Sequence, residues 1–425
     1  MESAAQPALT SWSALGRRVH PPTIARLMAL AVENPTLLSL AAGFTDSATL
    51  PTGMVASAVA EVTREGVDRE ALQYGTNTGR AGLRRLIAER LAQQEAGFDT
   101  AELEKTLFIT NGSQQALYLA VQVLCDPGDI VLVDRPSYFV YLEMLTGLGV
   151  RAVSIPTTDD GGVDGPGLRR LLRDLQERGE QHCVKAVYFV SYYSNPSGRS
   201  LSEAEKVTLA VELQKCGLCV PVLEDAAYRE LYFREPEPAS SVFSLAAWQE
   251  FPRLYLSTLT KPFATGLKVG YGVCSHPEWL ARMLYVKGHH DFGTANFNQA
   301  IFERVLARGG LDAHLQVLRP SYERKMRALD ASLRAGGLRE LGWQWEQPRG
   351  GLYLWLQAPE GIDTGLTSAF CRACVDAGVL YVPGALCFGD HIPDRYIRLS
   401  FGVLAEEQLQ EAGRRFAQVA ASFAK

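Results

Sequence analysis

Five apolar runs in this sequence each stop at residues able to do chemistry, and the last of them stops at an amine. "TLFIT" leads into Asn111, Gly112, Ser113 and Gln114; "DIVLVDRPS" into Tyr138; "AVYFVSYYS" into Asn195 before Pro196; "CVPVLED" ends on Asp225, with Tyr228 three residues later; "RLYLSTLT" leads into Lys261. A lysine closing a buried strand is costly as a charge unless it is paired or works as a neutral amine. A carboxylate in the same kind of place needs a cation or a donor. The Asn111-Gly112 turn followed by a helix offers free backbone N–H groups to an anion, with Ser113 able to add a hydroxyl, although an N-cap alone would also explain that serine. Tyr138 can stack on a flat group or pack in a core. Asn195 precedes a proline, so it is extended and its peptide bond is a candidate for the cis form. Together these ends supply an anion cradle, a stacking ring, an amide, a carboxylate, a phenol and an amine. That set suits a flat, phosphorylated, pyridine-type aldehyde held as an imine on lysine.

The elements that must position these residues follow from the hydrophobic pattern. From about residue 70 to 305, apolar strands alternate with helical stretches such as "LRRLIAERLAQQ", "SQQALYLAVQVL" and "SEAEKVTLAVELQKC". Strands that are apolar throughout and separated by helices predict an α/β fold whose large domain has a mainly parallel central sheet covered by helices on both faces. In such a sheet ligands gather at the carboxyl ends of the strands, which is where the six functions fall. Past the helical stretch ending near Arg334, "WQWEQPRGGLYLWLQ", "VLYVPG" and "YIRLSFG" predict a smaller α+β domain built from the two chain ends. The expected division is 1–65 for the N-terminal arm and part of the small domain, 66–306 for the large cofactor-binding domain, and 307–425 for the C-terminal small domain.

The totals bound the function. The 425 residues are 47% hydrophobic and 21% charged, an ordinary globular balance. With 42 Lys and Arg against 47 Asp and Glu the net charge is −5, which argues against a protein drawn to nucleic acid or membrane surfaces by its charge. The N-terminus lacks a basic start followed by an apolar core, and no later run reaches membrane-span length, so a cytoplasmic location is expected. Eight cysteines do not make a disulfide scaffold in a chain this long. Cys216 with Cys219 and Cys371 with Cys374 have C-x-x-C spacing, but neither pair has histidine support nearby, so both are read as buried core thiols and no metal is expected.

Ten motifs now stand in order: "LLSLAAGFTD", "LQYGTNTGRAGLRRLIAERL", "TNGSQQAL", "DRPSYF", "SNPSG", "LEDAAY", "STLTKPFATGLKVGY", "PRGGLYLW", "VPG" and "IRLSFG". The chain resembles the pyridoxal 5′-phosphate-dependent fold type I, class I/II aminotransferases, in the branch of the 2-aminoadipate/kynurenine and aromatic or branched-chain enzymes, from about residue 20 onward. The resemblance implies that Lys261 carries the cofactor as a Schiff base and shuttles a proton. It implies that Asp225 keeps the pyridine nitrogen protonated, that Asn195 and Tyr228 hydrogen-bond the ring's phenolic oxygen, and that Tyr138 stacks on the ring. Ser113, Gln114, Thr258 and Lys268 would hold the phosphate, with Tyr74 reaching it from the partner of a homodimer that shares its active sites. Arg398 would grip the substrate carboxylate, and Gly43 and Asn195 would line the substrate pocket. Small-molecule amino acids and 2-oxo acids are the implied partners, with no nucleic acid and no membrane.

Two departures mark this chain. Thr258 and Thr260 stand where the family usually has serine, and Lys268 stands where it usually has arginine. A lysine neutralises phosphate as a point charge but cannot offer a two-pronged donor. Amino transfer from an L-amino acid to a 2-oxo acid is the leading expectation. The alternative is another outcome on the same fold, such as a lyase, decarboxylase, racemase or oxygen-using enzyme, because the cofactor makes the carbanion and the pocket decides its fate. A regulator with an aminotransferase-like sensor would need a DNA-binding module ahead of the match, for which about twenty residues leave no room. Arg26 is a candidate partner for a polar substrate side chain or a helix-surface arginine.

Overall fold

The computed structural model describes residues 11–424 apart from 24, 26, 28, 30–33, 35, 65 and 67, so Arg26 lies outside the described residues. Leu38–Ser39 (β1) is followed by the strands of the central sheet: β2 (Leu107–Asn111), β3 (Ile130–Val133), β4 (Arg151–Ser154), β5 (Val184–Val190), β6 (Val222–Asp225), β7 (Arg253–Thr258) and β8 (Val269–Cys274). They lie in the order β2-β8-β7-β6-β5-β3-β4, all parallel except β8, which runs antiparallel to both neighbours.

Both faces of this sheet are buried, which is why its strands read as unbroken apolar runs. Successive residues point to opposite sides. Ile130 and Leu132 of β3 join Val187 and Phe189 of β5 against the helices Gly165–Glu177 and Glu203–Lys215. Val131, Val133, Tyr188 and Val190 face the other way, toward the helices Gly112–Leu124 and Phe139–Leu148. The helix starts are written locally: Asp164 accepts from the Gly167 N–H ahead of a proline, and Ser202 with Glu205 forms a reciprocal capping box.

The second sheet has the order β11-β12-β9, formed by Val382–Pro383 (β11), Tyr396–Ser400 (β12) and Tyr353–Gln357 (β9), and it is antiparallel. Beside it, β1 pairs in parallel with Val379–Leu380 (β10), tying the N-terminal segment to residues more than three hundred positions away. The helix Gly310–Ala335 packs along the C-terminal helix Glu406–Ser422.

Two expectations need correction. The run "CVPVLED" becomes a strand only from Val222, because Pro221 has no N–H for a ladder; Cys219 lies ahead of it, exposed rather than in the core, and Cys216 is half-buried. Cys371 and Cys374 are buried in the helix Ala369–Asp376. Among the described residues no group of three or more His, Cys, Asp or Glu side chains could hold a metal, and no helix is long and apolar enough to cross a membrane.

Candidate active site

The carboxyl ends of β5, β6 and β7 and the N-terminal ends of the helices Gly112–Leu124 and Phe139–Leu148 converge on one buried cluster. Lys261 follows β7, and its Nζ donates to the Gly43 carbonyl at 2.5 Å. Burial is the main cause that lowers its proton affinity below that of an ordinary lysine; Tyr353 opposes this, while the positive charges of Arg398 and Lys268 add to it. The result is an amine biased toward its neutral, nucleophilic form.

Asp225 ends β6 and is almost fully buried. Its Oδ2 accepts from the Tyr188 hydroxyl at 3.1 Å and its Oδ1 from the Ala227 N–H at 2.9 Å. Burial nevertheless pushes its pKa up to about 6, the two hydrogen bonds only partly offsetting it. Asp134, at the end of β3, is pushed to about 7 by burial despite bonds from Ser137 and Val190.

Arg398 on β12 is 1% exposed. It donates from Nη1 to Asn195 Oδ1 at 2.8 Å and from Nη2 to the Ala41 carbonyl at 2.6 Å, while its Nε has no partner. Its guanidinium lies 4.4 Å from the centre of the Tyr353 ring and 5.3 Å from that of Phe139. No carboxylate pairs with it among the described residues. Asn195 is held by a cis bond to Pro196. Tyr228 shares a hydrogen bond with Tyr353, oxygen to oxygen 3.1 Å, and Tyr138 donates to Gln114 Oε1 at 3.4 Å.

The cradle is formed by bare backbone. The helix Gly112–Leu124 has no side-chain cap from Asn111, whose Nδ2 donates to Asp291 and whose N–H donates to Gln115 Oε1. A Cβ on Gly270 of β8 would come within 2.5 Å of the Gly112 carbonyl carbon and the Ser113 nitrogen, so only glycine lets the strand pass beneath this turn. Ser113 and Gln114 open the helix, and Thr258 shares a 2.7 Å hydrogen bond with Thr260. Lys268 is exposed, in the left-handed region at φ +56°, close enough to Lys261 to repel its charge. Lys261, Gly43, Asn195, Arg398, Tyr228, Tyr138, Gln114 and Asp225 thus fall in one cluster, whereas Tyr74 is 82% exposed and meets the edge of Phe292 at 5.4 Å.

Pyridoxal phosphate fits these residues by the chemistry of the donor set: an uncapped helix start over bare glycine backbone for the phosphate, Asp225 for a ring nitrogen, Lys261 for an aldehyde, and an arginine Nε still free for a carboxylate. The sequence reading missed Tyr353 and Tyr188. Both lie within strands, on faces that only the assembled sheets bring to the site; "GGLYLW" marked the position of Tyr353 without marking its direction.

Comparisons with known proteins give the family. The family described as "Aminotransferase class I and II" matches residues 35–416. The chain is 32% identical to the aromatic-amino-acid aminotransferase 1 of Thermococcus litoralis over 91% of this chain and 88% of that one. It is 30% identical to the 2-aminoadipate transaminase of Thermus thermophilus over 95% and 96%. Among solved structures, the kynurenine aminotransferase of Pyrococcus horikoshii in complex with PMP superposes with a TM-score of 0.87, at 28% identity over 98% of both chains.

The Asp225 carboxyl gives a stability prediction with a definite sign. Its folded pKa of about 6 lies above the ordinary 3.8, so its stabilising contribution is full below pH 3.8 and is lost as the pH rises through 6. In cofactor-free protein at pH 8, Asp225→Asn is expected to resist urea better than the parent by up to about 3 kcal/mol. The gap should nearly close at pH 4; Asp134, whose pKa the Asp225 charge helps to raise, loses that push in the variant and so adds to the gain at pH 8. A variant no more stable than the parent at pH 8 would contradict the burial argument.

Proposed function

The chain belongs to the class I and II aminotransferase family and is a pyridoxal 5′-phosphate-dependent aminotransferase, and from that premise we propose that the cluster around Lys261 is its active site. The observation that carries this assignment is a buried amine biased toward neutrality, beside a buried arginine whose Nε is unpartnered. Bound pyridoxal phosphate supplies an electron sink for the pair left when a proton leaves the amino acid's α-carbon, and it carries the amino group between two half-reactions.

The chain's own residues do the rest. Lys261 Nζ is the group that would hold the aldehyde carbon, and as a free amine biased toward neutrality it would be the base that takes the substrate's α-proton and gives it back. Asp225 would pair with the pyridine nitrogen and keep it protonated, a pairing that would favour the carboxylate form that burial disfavours. Tyr228 and Asn195 hydrogen-bond the phenolic oxygen, Tyr138 covers a ring face, and Ser113, Gln114, Thr258 and Lys268 hold the phosphate. Arg398 offers its free Nε to the substrate carboxylate, a contact every amino acid and 2-oxo acid can make. Gly43 and Asn195 line the substrate pocket. The cofactor-binding domain is taken as 66–306 and the small domain as 1–65 with 307–425, which the pairing of β1 with β10 supports. A cytoplasmic location is in keeping with the absence of a membrane-length helix among the described residues.

The loaded protein mixed with an L-amino acid and no 2-oxo acid should exchange its visible absorbance for the near-ultraviolet band of the amino form, and Lys261→Ala should abolish the exchange. The panel to screen spans aromatic, 2-aminoadipate-like, kynurenine and aliphatic amino acids, following the relatives' names. A protein that converts with no member of that panel and none of the twenty amino acids, or releases ammonia or carbon dioxide without an acceptor, is not the transaminase described here.

The lysine at 268 sets a second expectation. Lys268→Arg should lose cofactor roughly threefold to tenfold more slowly on dilution, since a fork replaces a point charge; equal off-rates refute this.

The exposed Leu72, Tyr74, Tyr285 and Phe292 support a homodimer in which Tyr74 reaches the partner's phosphate. Light scattering should give a dimer, and Tyr74→Phe should weaken cofactor retention. A monomer with full cofactor content would remove the shared site.

A further inference from the structure

The hydroxyls of Tyr353 and Tyr228 lie 3.1 Å apart, and the two buried rings meet edge to face with centres 5.8 Å apart. Tyr353 is also the ring beneath the Arg398 guanidinium, 4.4 Å from its centre. A Cβ added to Gly43 would stand 2.9 Å from the Tyr353 oxygen, so that oxygen abuts the backbone whose carbonyl accepts from Lys261. One phenol therefore touches the substrate arginine, the segment holding the reactive amine and the tyrosine assigned to the cofactor's phenolic oxygen.

Each phenol has a single proton to give. A proton that Tyr228 spends on Tyr353 is not available to the cofactor. If Tyr353 donates instead, the Tyr228 oxygen is satisfied as an acceptor and its own proton is free to point into the site. The Arg398 charge over the Tyr353 ring favours Tyr353 as the donor of the pair. Burial pushes the Tyr228 pKa well up, with Tyr353 contributing, so Tyr228 keeps its proton across the working range.

We propose that Tyr353 is a positioning residue whose hydroxyl donates to Tyr228 and so turns the Tyr228 proton toward the cofactor's phenolic oxygen, strengthening that hydrogen bond. The proposal rests on the reading of Tyr228 given above and adds a second link behind it. Hydrogen bonds in series polarise one another in a low-dielectric interior, so the outer donor matters although it touches neither cofactor nor substrate.

The visible absorbance of the loaded protein reports this directly. A hydrogen bond into the phenolic oxygen draws negative charge from it, and the conjugated nitrogen then gives up its proton at lower pH. Tyr353→Phe keeps the ring under Arg398 and removes only the hydroxyl. In absorbance titrations of protein loaded with pyridoxal phosphate, the midpoint should rise by about half a pH unit to one unit in Tyr353→Phe. It should rise at least as far in Tyr228→Phe and no further in the double variant, because the outer hydroxyl acts only through the inner one. An unchanged midpoint in Tyr353→Phe, or equal shifts from that substitution with and without the Tyr228 hydroxyl, overturns the proposal. A parent protein that takes up pyridoxal phosphate with no visible band, and in which borohydride fixes nothing to Lys261, overturns the Lys261 reading and this proposal with it.

Discussion

The structure turns on the cost of burying the Lys261 amine. A lysine charge placed at the end of a strand with both faces covered would need an acid beside it, and among the described residues none stands there; its Nζ has a backbone carbonyl for a partner and two cations for neighbours. The neutral amine is the form that such a place tolerates. Arg398 is treated in the opposite way. Arginine does not shed its proton, so its charge is met by the Asn195 amide oxygen, the Ala41 carbonyl and two aromatic faces, with one N–H kept in hand. One cation is disarmed and the other is left partly unsatisfied, a division of labour suited to a nucleophile and a carboxylate receptor.

Holding these groups falls to polar networks on the far side of the strands that present them. Glu224 and Asp225 are neighbours on β6 and point to opposite faces. Glu224 pairs with the fully buried Lys206 at 3.1 Å and accepts from Ser191, Ser241 and the Val242 N–H. Ser191 also gives its backbone N–H to the Asp225 carbonyl, so the segment leading to Asn195 is fastened to β6 on both sides. A pair this deeply buried adds little net stability but becomes costly if half of it is removed, which makes it an effective fixative of geometry. Asp291 does comparable work at the cradle, accepting from Asn111, Gln115 and Lys287, and Phe292, which meets Tyr74, follows it directly.

The sequence carried the strand ends because a strand covered on both faces has to be apolar along its whole length, so the first polar residue after it is conspicuous. Asp225, Asn195 and Lys261 were legible for that reason. Edge strand β4 was not, since "RAVS" starts on an exposed arginine and has no apolar run to announce it. Cys219 was misplaced because an apolar stretch continues across Pro221, where the ladder cannot start. Tyr353 and Tyr188 were illegible for a different reason: their functions are contacts made at separations of 125 and 37 residues, and a tyrosine inside a strand looks the same whether its hydroxyl meets another chain segment or only fills space. The pairing of β1 with β10 is of this kind too.

Three buried groups form a pattern when taken together. Burial holds Asp225 toward its acid form, Lys261 toward its free base, and Arg398 with an N–H lacking an acceptor. Each stands away from the state it would adopt in water, and each is relieved by a different part of one kind of ligand: a protonated ring nitrogen, an aldehyde carbon, a carboxylate. Lys268 lies close enough to the amine for its charge to help keep Lys261 neutral. A phosphate that neutralised Lys268 would therefore weaken that depression, as a ring nitrogen would restore the charge of Asp225. On the proposed assignment, occupancy of the cradle and reactivity of the amine would be coupled through charge.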